Sequence, residues 1–141
     1  MMNNNNLQRF LNAQENDYPI ALSEIKKSRK KNHWMWYIFP QLKGLGISTT
    51  SIFYAIKDKE EAEAYLNHPV LGNRLVEICN ELLKLKSNDA YQIFDIDDKK
   101  LKSSITLFAL LENTNPVFHS VLEKFFQGKK DNRTLKLLQE H

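Results

Sequence analysis

Both tryptophans of this chain and two of its four glycines fall in one short run. It reads Lys30-Lys31-Asn32-His33-Trp34-Met35-Trp36, then Phe39-Pro40-Gln41, then Lys43-Gly44-Leu45-Gly46. A plain core segment needs no such mixture. Cations supply charge, aromatic faces supply stacking surfaces, and glycines let a backbone come close to a ligand. An imidazole suits His33 to proton transfer or to hydrogen bonding with a ligand. The alternative is a ring packed between aromatics with its nitrogens satisfied. On the functional reading Trp34 or Trp36 stacks on a base, His33 is the acid/base or ligand donor, and Lys30, Lys31 and Lys43 attract an anion.

Three further segments carry chemistry. Gly44-Leu45-Gly46-Ile47-Ser48-Thr49-Thr50-Ser51 has two glycines followed by hydroxyl residues, the composition of a turn into a helix N-terminus that attracts anions. It lacks a dinucleotide fingerprint and a Gly-Lys-Ser/Thr, so an ordinary capped turn explains it equally. In Lys100-Leu101-Lys102-Ser103-Ser104-Ile105-Thr106, three hydroxyls sit at the start of an apolar helix. Ser103, Ser104 and Thr106 are either ligand donors or side chains bonded back to the preceding turn. Neither Ser103 nor Ser104 sits in a Gly-x-Ser-x-Gly or Ser-x-x-Lys motif that would support a serine nucleophile. Arg74 adjoins an apolar stripe, where its fork can hold a phosphate or carboxylate or pair with Glu77, Glu81 or an acid on another helix. Asp97 and Asp98 are read as caps of the helix that follows. No His-x-x-x-His or Glu-x-x-His pair occurs, so no metal site and no cofactor are expected.

The elements that must position these residues are helical. Leu7, Phe10, Leu11 and Gln14 share a face of a first helix. Asp17 and Pro19 look like the start of a second, with Tyr18, Ala21, Leu22 and Ile25 at helical spacing. Asp58-Lys59-Glu60-Glu61 is a capping box. Leu71, Leu75, Ile78, Leu82 and Leu85 form a clear buried stripe. The helix carrying Leu101, Ile105, Leu107 and Phe108 is apolar most of the way round, which marks it as central. Asn115-Pro116 opens a helix with Phe118, Val121, Leu122 and Phe125 facing inward, and Gly128 suits its stop. Asp131 can cap a last short helix. Only Trp34–Phe39 leans toward strand, and it reads equally as a helical turn or an extended loop. The expected fold is all-α, a single multihelical domain of about seven to nine short helices over residues 7–141, preceded by a disordered extension at 1–6.

Bulk properties narrow the classes. With 141 residues, 42% hydrophobic and 26% charged, the chain suits one globular domain with a real core. No apolar stretch approaches the roughly 20 residues that span a membrane. The N-terminus lacks the features of a secretory signal, and the single Cys79 excludes an internal disulfide, so a cytoplasmic location is expected. The net charge of +3 is uneven: residues 1–43 carry +4 and the remainder −1. The excess lies in Lys26, Lys27, Arg29, Lys30 and Lys31. It is either a solvated helix end or an anion-attracting patch.

Taken together, the motifs resemble a known family. They are Arg9-Phe10 with Gln14, His33-Trp34-Met35-Trp36 followed by Phe39-Pro40-Gln41, and Gly44-Leu45-Gly46 with Ser48. Tyr65-Leu66-x-His68-Pro69-x-Leu71, Arg74-Leu75 and Lys100-Leu101-x-Ser103-Ser104-x-Thr106-Leu107-Phe108 follow, and Asp131-x-x-Thr134-Leu135 closes the set. Over roughly residues 7–138 the chain is similar to the bacterial DUF1810 family, a domain of unknown function whose members are sometimes labelled calpastatin. The resemblance implies a small, mostly helical cytoplasmic domain and brings no activity or catalytic residue. A calpain inhibitor is low in aromatics, whereas this chain has eight Phe, five Tyr and two Trp. The asparagine-rich start departs from the family pattern.

The expected function is a pocket for a small anionic ligand, nucleotide-like, with or without catalysis by His33. Its ligand-binding set is Lys30, Trp34, Trp36, Gln41, Lys43, Gly44, Gly46, Ser48, Arg74, Lys100, Ser103, Ser104 and Thr106. The alternatives are a nucleic-acid-binding module using Lys26–Lys31 on phosphates, or a protein-interaction domain with the aromatic run as its hot spot.

Overall fold

The stripe Leu71, Leu75, Ile78 and Leu82 is buried to 1% exposure or less, and it fixes one long helix across the middle of the protein. A computed structural model describes residues 6–140. Among them run nine α-helices: α1 (Gln8–Lys26), α2 (Met35–Ile38), α3 (Thr49–Phe53), α4 (Lys59–Asn67), α5 (Leu71–Lys84), α6 (Ala90–Phe94), α7 (Asp98–Ala109), α8 (Val117–Phe126) and α9 (Asn132–Glu140). A single 3-10 turn, Asp95–Asp97, joins α6 to α7. The expected N-terminal extension lies outside the described residues except for Asn6, which is exposed.

α7 is central. Every residue from Ser103 to Ala109 is buried, because α4, α6, α8 and α9 all pack around it. Phe108 joins Tyr65 of α4 and Phe118 of α8, with ring centroids 5.5 and 5.8 Å apart. α5 forms the second layer against α1, α4 and α8. The α4–α5 corner is close enough to require Gly72: a Cβ there would lie 1.9 Å from the Leu66 carbonyl oxygen.

Local signals were mostly realised. Asp58 accepts from the Glu61 N–H at 2.8 Å and starts α4. Asn115 accepts from Val117 N–H at 2.9 Å ahead of α8, and Asp131 accepts from Thr134 N–H at 2.9 Å to start α9. The expected break at Asp17–Pro19 is corrected: α1 runs unbroken through Pro19. Pro19 is exposed. The hydrogen bond that its ring removes is therefore lost on the wet side of the helix, where water replaces it. The segment 34–39 is a helical turn rather than a strand. The one β-bridge among the described residues pairs Leu42 with Ile56, and it ties the chain after α2 to the chain after α3.

Leu75→Ala and Phe108→Ala each remove a fully packed side chain from these two layers and should each destabilise by roughly 2–5 kcal/mol in denaturant unfolding. Losses below about 1 kcal/mol for both would place the core elsewhere.

Candidate functional site

The geometry begins at Glu24, near the end of α1. Its carboxylate accepts the backbone N–H of Lys31 at 2.7 Å and of Asn32 at 3.1 Å, the Asn32 side-chain amide, and the Trp34 indole N–H at 2.8 Å. Burial works against its charge, but the donors from Lys31, Asn32 and Trp34 prevail and hold the carboxyl at about 2. The chain is thereby folded back beneath α1 and Trp34 is drawn into the core, 1% exposed, against Phe39 and Phe94. The turn α2 carries Trp36 two positions on, so that it emerges half-buried on the other side. Gly46 allows this, since a Cβ there would lie 2.9 Å from Cη2 of Trp36.

A second carboxylate, Asp97, lies opposite. It accepts from Lys30 Nζ at 3.0 Å and from Lys100 Nζ at 2.7 Å. Desolvation raises its pKa, yet the hydrogen bonds from Lys100 and Lys30 hold it below the usual carboxylate range. The two lysines are not equivalent. Lys30 also donates to the Asn32 carbonyl at 2.6 Å and lies 5.0 Å from the Trp34 ring centroid, so its three N–H groups are engaged. Lys100 lies 4.8 Å from the Trp36 ring centroid and among the described residues bonds otherwise to Asp97 alone. That leaves one ammonium hydrogen without a partner among them, and the side chain is 34% exposed.

Between α2, the start of α3 and the 94–100 segment is a cleft of about 610 Å³. His33, Trp36, Ser48, Lys30, Lys31 and Lys100 all line it. Its floor includes Phe94, and its far wall is the Asp95–Asp97 turn. Asp95 there has φ 55° and ψ −132°, a positive φ that non-glycine residues adopt only under constraint. Across the Trp36–Lys100 pair lies a smaller cleft of about 180 Å³ that both residues also line, together with Gln41 and Ser103.

The other expected site residues lie elsewhere. Trp34 is a core residue bonded to Glu24 and offers no face for stacking. Arg74 lies on the α1–α5 seam, donating to Gln14 at 3.3 Å and covering the Tyr18 ring at 5.2 Å, and among the described residues no acid forms an ion pair with it. Ser104 and Thr106 are wholly buried, and the Thr106 hydroxyl accepts from Asp131 N–H at 2.9 Å. Lys43 is exposed and lines neither cleft. Gly44 contributes its carbonyl, which accepts from Arg133 at 3.2 Å and so holds that cation at the smaller cleft. Ser48 caps α3 through Ser51 N–H at 3.1 Å while lining the main cleft.

Sequence reasoning missed Asp97 as an ion-pair hub, although its spacing of three from Lys100 signals such a pair. It also missed Arg133, which carries no local signal. Among the described residues nothing hydrogen-bonds the exposed imidazole of His33, and Ser103 donates to the Lys99 carbonyl at 3.1 Å. Among the described residues no base is hydrogen-bonded to a nucleophile at either cleft. Among the described residues no group of His, Cys, Asp and Glu side chains is placed to hold a metal ion. No helix among them is long and apolar enough to cross a membrane.

Residues 4–138 match the family DUF1810, described as a protein of unknown function. The crystal structure of the conserved hypothetical protein Rv1873 from Mycobacterium tuberculosis is similar at 41% identity and a TM-score of 0.94, covering 97% of this chain and 99% of that one. No curated protein matches the chain.

The Glu24 hub makes an acid prediction. Its folded value, about 2, lies below the model-compound value of 4.5. Its contribution to stability is therefore complete above pH 4.5 and is lost as the pH falls toward 2. Glu24→Gln should lower stability at neutral pH by roughly 1.5–3 kcal/mol and flatten the acid limb of the stability curve. An unchanged acid limb would show that other carboxylates govern it.

Proposed function

Because the chain belongs to the DUF1810 family, whose function is unknown, its role must come from its own residues, and we propose that the cleft between α2 and the start of α7 binds a small anionic ligand with a planar ring, of nucleotide type. One observation carries this reading. Lys100 is fixed by Asp97, keeps a free donor, and stands over a half-exposed indole at the edge of a ligand-sized cleft. A fixed cation beside an aromatic wall suits a ligand that presents negative charge next to a flat ring. Lys31 and His33, both exposed, supply further donors across the cleft. The exposed imidazole also leaves proton transfer to a bound ligand open to His33. The single cysteine, Cys79, can form no internal disulfide, which suits a reducing compartment, and we propose a cytoplasmic location.

A nucleic-acid reading has its own support. Lys26, Lys27, Arg29 and Lys31 are exposed, and the last three border a broad depression at the end of α1. That surface suits a phosphate backbone more than a single nucleotide.

A thermal-shift screen with nucleoside monophosphates, sugar phosphates and short oligonucleotides separates the two. At 100-fold excess over Kd a bound ligand stabilises by about 2.7 kcal/mol, a shift of about 10 °C. We expect nucleoside monophosphates to give it, and Lys100→Ala or Trp36→Ala to abolish it. His33→Ala should weaken it while leaving the unliganded Tm unchanged, since that side chain is exposed. A shift given only by oligonucleotides, retained in Lys100→Ala and lost on replacing Lys27 and Arg29, would favour the nucleic-acid reading instead.

A further inference from the structure

The smaller cleft has a chemistry of its own. Gln41 lines it, is 4% exposed, and its Nε2 has no hydrogen-bond partner among the described residues. Its root is fixed, because the Gln41 carbonyl accepts from Ile56 N–H at 2.8 Å within the β-bridge. A buried amide donor without an acceptor is disfavoured, and native structures hold few of them. Packing alone would be served better by an apolar side chain of the same size.

The surroundings indicate what the amide lacks. Lys99, Lys100 and Arg133 line the same cleft against one acid, Asp131. That carboxylate is already engaged, accepting from Thr134 N–H at 2.9 Å and from the Thr134 hydroxyl at 2.6 Å. Arg133 uses one donor on the Gly44 carbonyl, and among the described residues the rest of its guanidinium has no hydrogen-bond partner. The cleft thus gathers donors and positive charge beside the Gln41 amide. At about 180 Å³ it is too small for a nucleoside and large enough for a single anionic group.

We propose that this cleft is a phosphoryl subsite, with Gln41 Nε2 donating to a phosphoryl oxygen and Lys100, Lys99 and Arg133 balancing its charge. The proposal deepens the reading of the main cleft, on which it rests for the rest of the ligand. Trp36 and Lys100 form the shared wall, so the ring lies on the His33 side and the phosphate on the Gln41 side. Gln41 is then a residue that costs the free protein stability in return for recognition.

The test is a titration of ¹⁵N-labelled full-length protein with inorganic phosphate at constant ionic strength, following the Gln41 side-chain amide and the Arg133 Nε–H. Both signals should shift saturably, and acetate should move them far less. Lys100→Ala should weaken the phosphate affinity about tenfold or more. Gln41→Met should raise the unliganded Tm and weaken phosphate binding by a similar factor, followed at Arg133. A Gln41 amide that does not move, or that moves equally with acetate, overturns the proposal. So does a Gln41→Met variant that lowers Tm and keeps phosphate affinity, the behaviour of a purely structural amide. If nucleoside monophosphates stabilise the protein but Gln41→Met leaves that unchanged, the subsite falls and the main cleft stands. If phosphate binds at Gln41 and nucleosides add nothing, the subsite stands and the ring reading falls.

Discussion

One carboxylate, Glu24, directs the chain between α1 and α2. A helix end rich in Lys26, Lys27, Arg29, Lys30 and Lys31 would otherwise run out into solvent. Glu24 instead collects four donors from Lys31, Asn32 and Trp34 and turns the segment back on itself. Because the Trp34 ring must follow its indole N–H inward, Trp36 is carried to the opposite face of a single helical turn. The same turn brings Lys30 beneath Asp97, and Asp97 in turn positions Lys100. The cleft is a consequence of that sequence of constraints.

Similar polar hubs close other loops of this fold. Arg9 donates to the carbonyls of Phe53 and Ala55, each at 2.8 Å, and pairs with the buried Glu61 at 3.2 Å. Gln14 donates to the Tyr37 carbonyl at 2.8 Å and to the Tyr65 hydroxyl at 2.9 Å, and accepts from Arg74. Helices as short as α2 and α3 are not stable alone, and a chain with a single β-bridge among its described residues has no sheet to hold them. Side chains from α1 do that work, bonding backbone carbonyls that the short elements leave unpaired. Breaking one hub therefore disturbs a loop more than a layer, while breaking the α5–α7 core disturbs the whole.

The helices were legible where one element decides its own face. The stripe of α5, the caps at Asp58, Asn115 and Asp131, and the all-round apolarity of α7 are local patterns, and they were realised. Pro19 was misread because its tolerance depends on which side of α1 meets water, a tertiary property. Trp34 and Trp36 have the same chemistry, and only the position of Glu24, ten residues before Trp34, separates a core indole from a cleft indole. Lys30 and Lys100 likewise differ by how many partners each already has. Ser103, Ser104 and Thr106 looked alike in sequence, yet only Ser103 faces a cleft, because α7 is packed on nearly every side. Arg133 reaches the smaller cleft through the Gly44 carbonyl, a pairing across 89 positions that no local pattern encodes.

Glu24 divides the two tryptophans into a buried one and a cleft-lining one, and we propose that the second is the recognition residue. Their indole N–H resonances report on this directly, since each gives a separate signal. On titration with a nucleoside monophosphate, the Trp36 resonance should shift saturably while that of Trp34, bonded to Glu24, stays fixed. Movement of Trp34 alone, or of neither, would contradict the account.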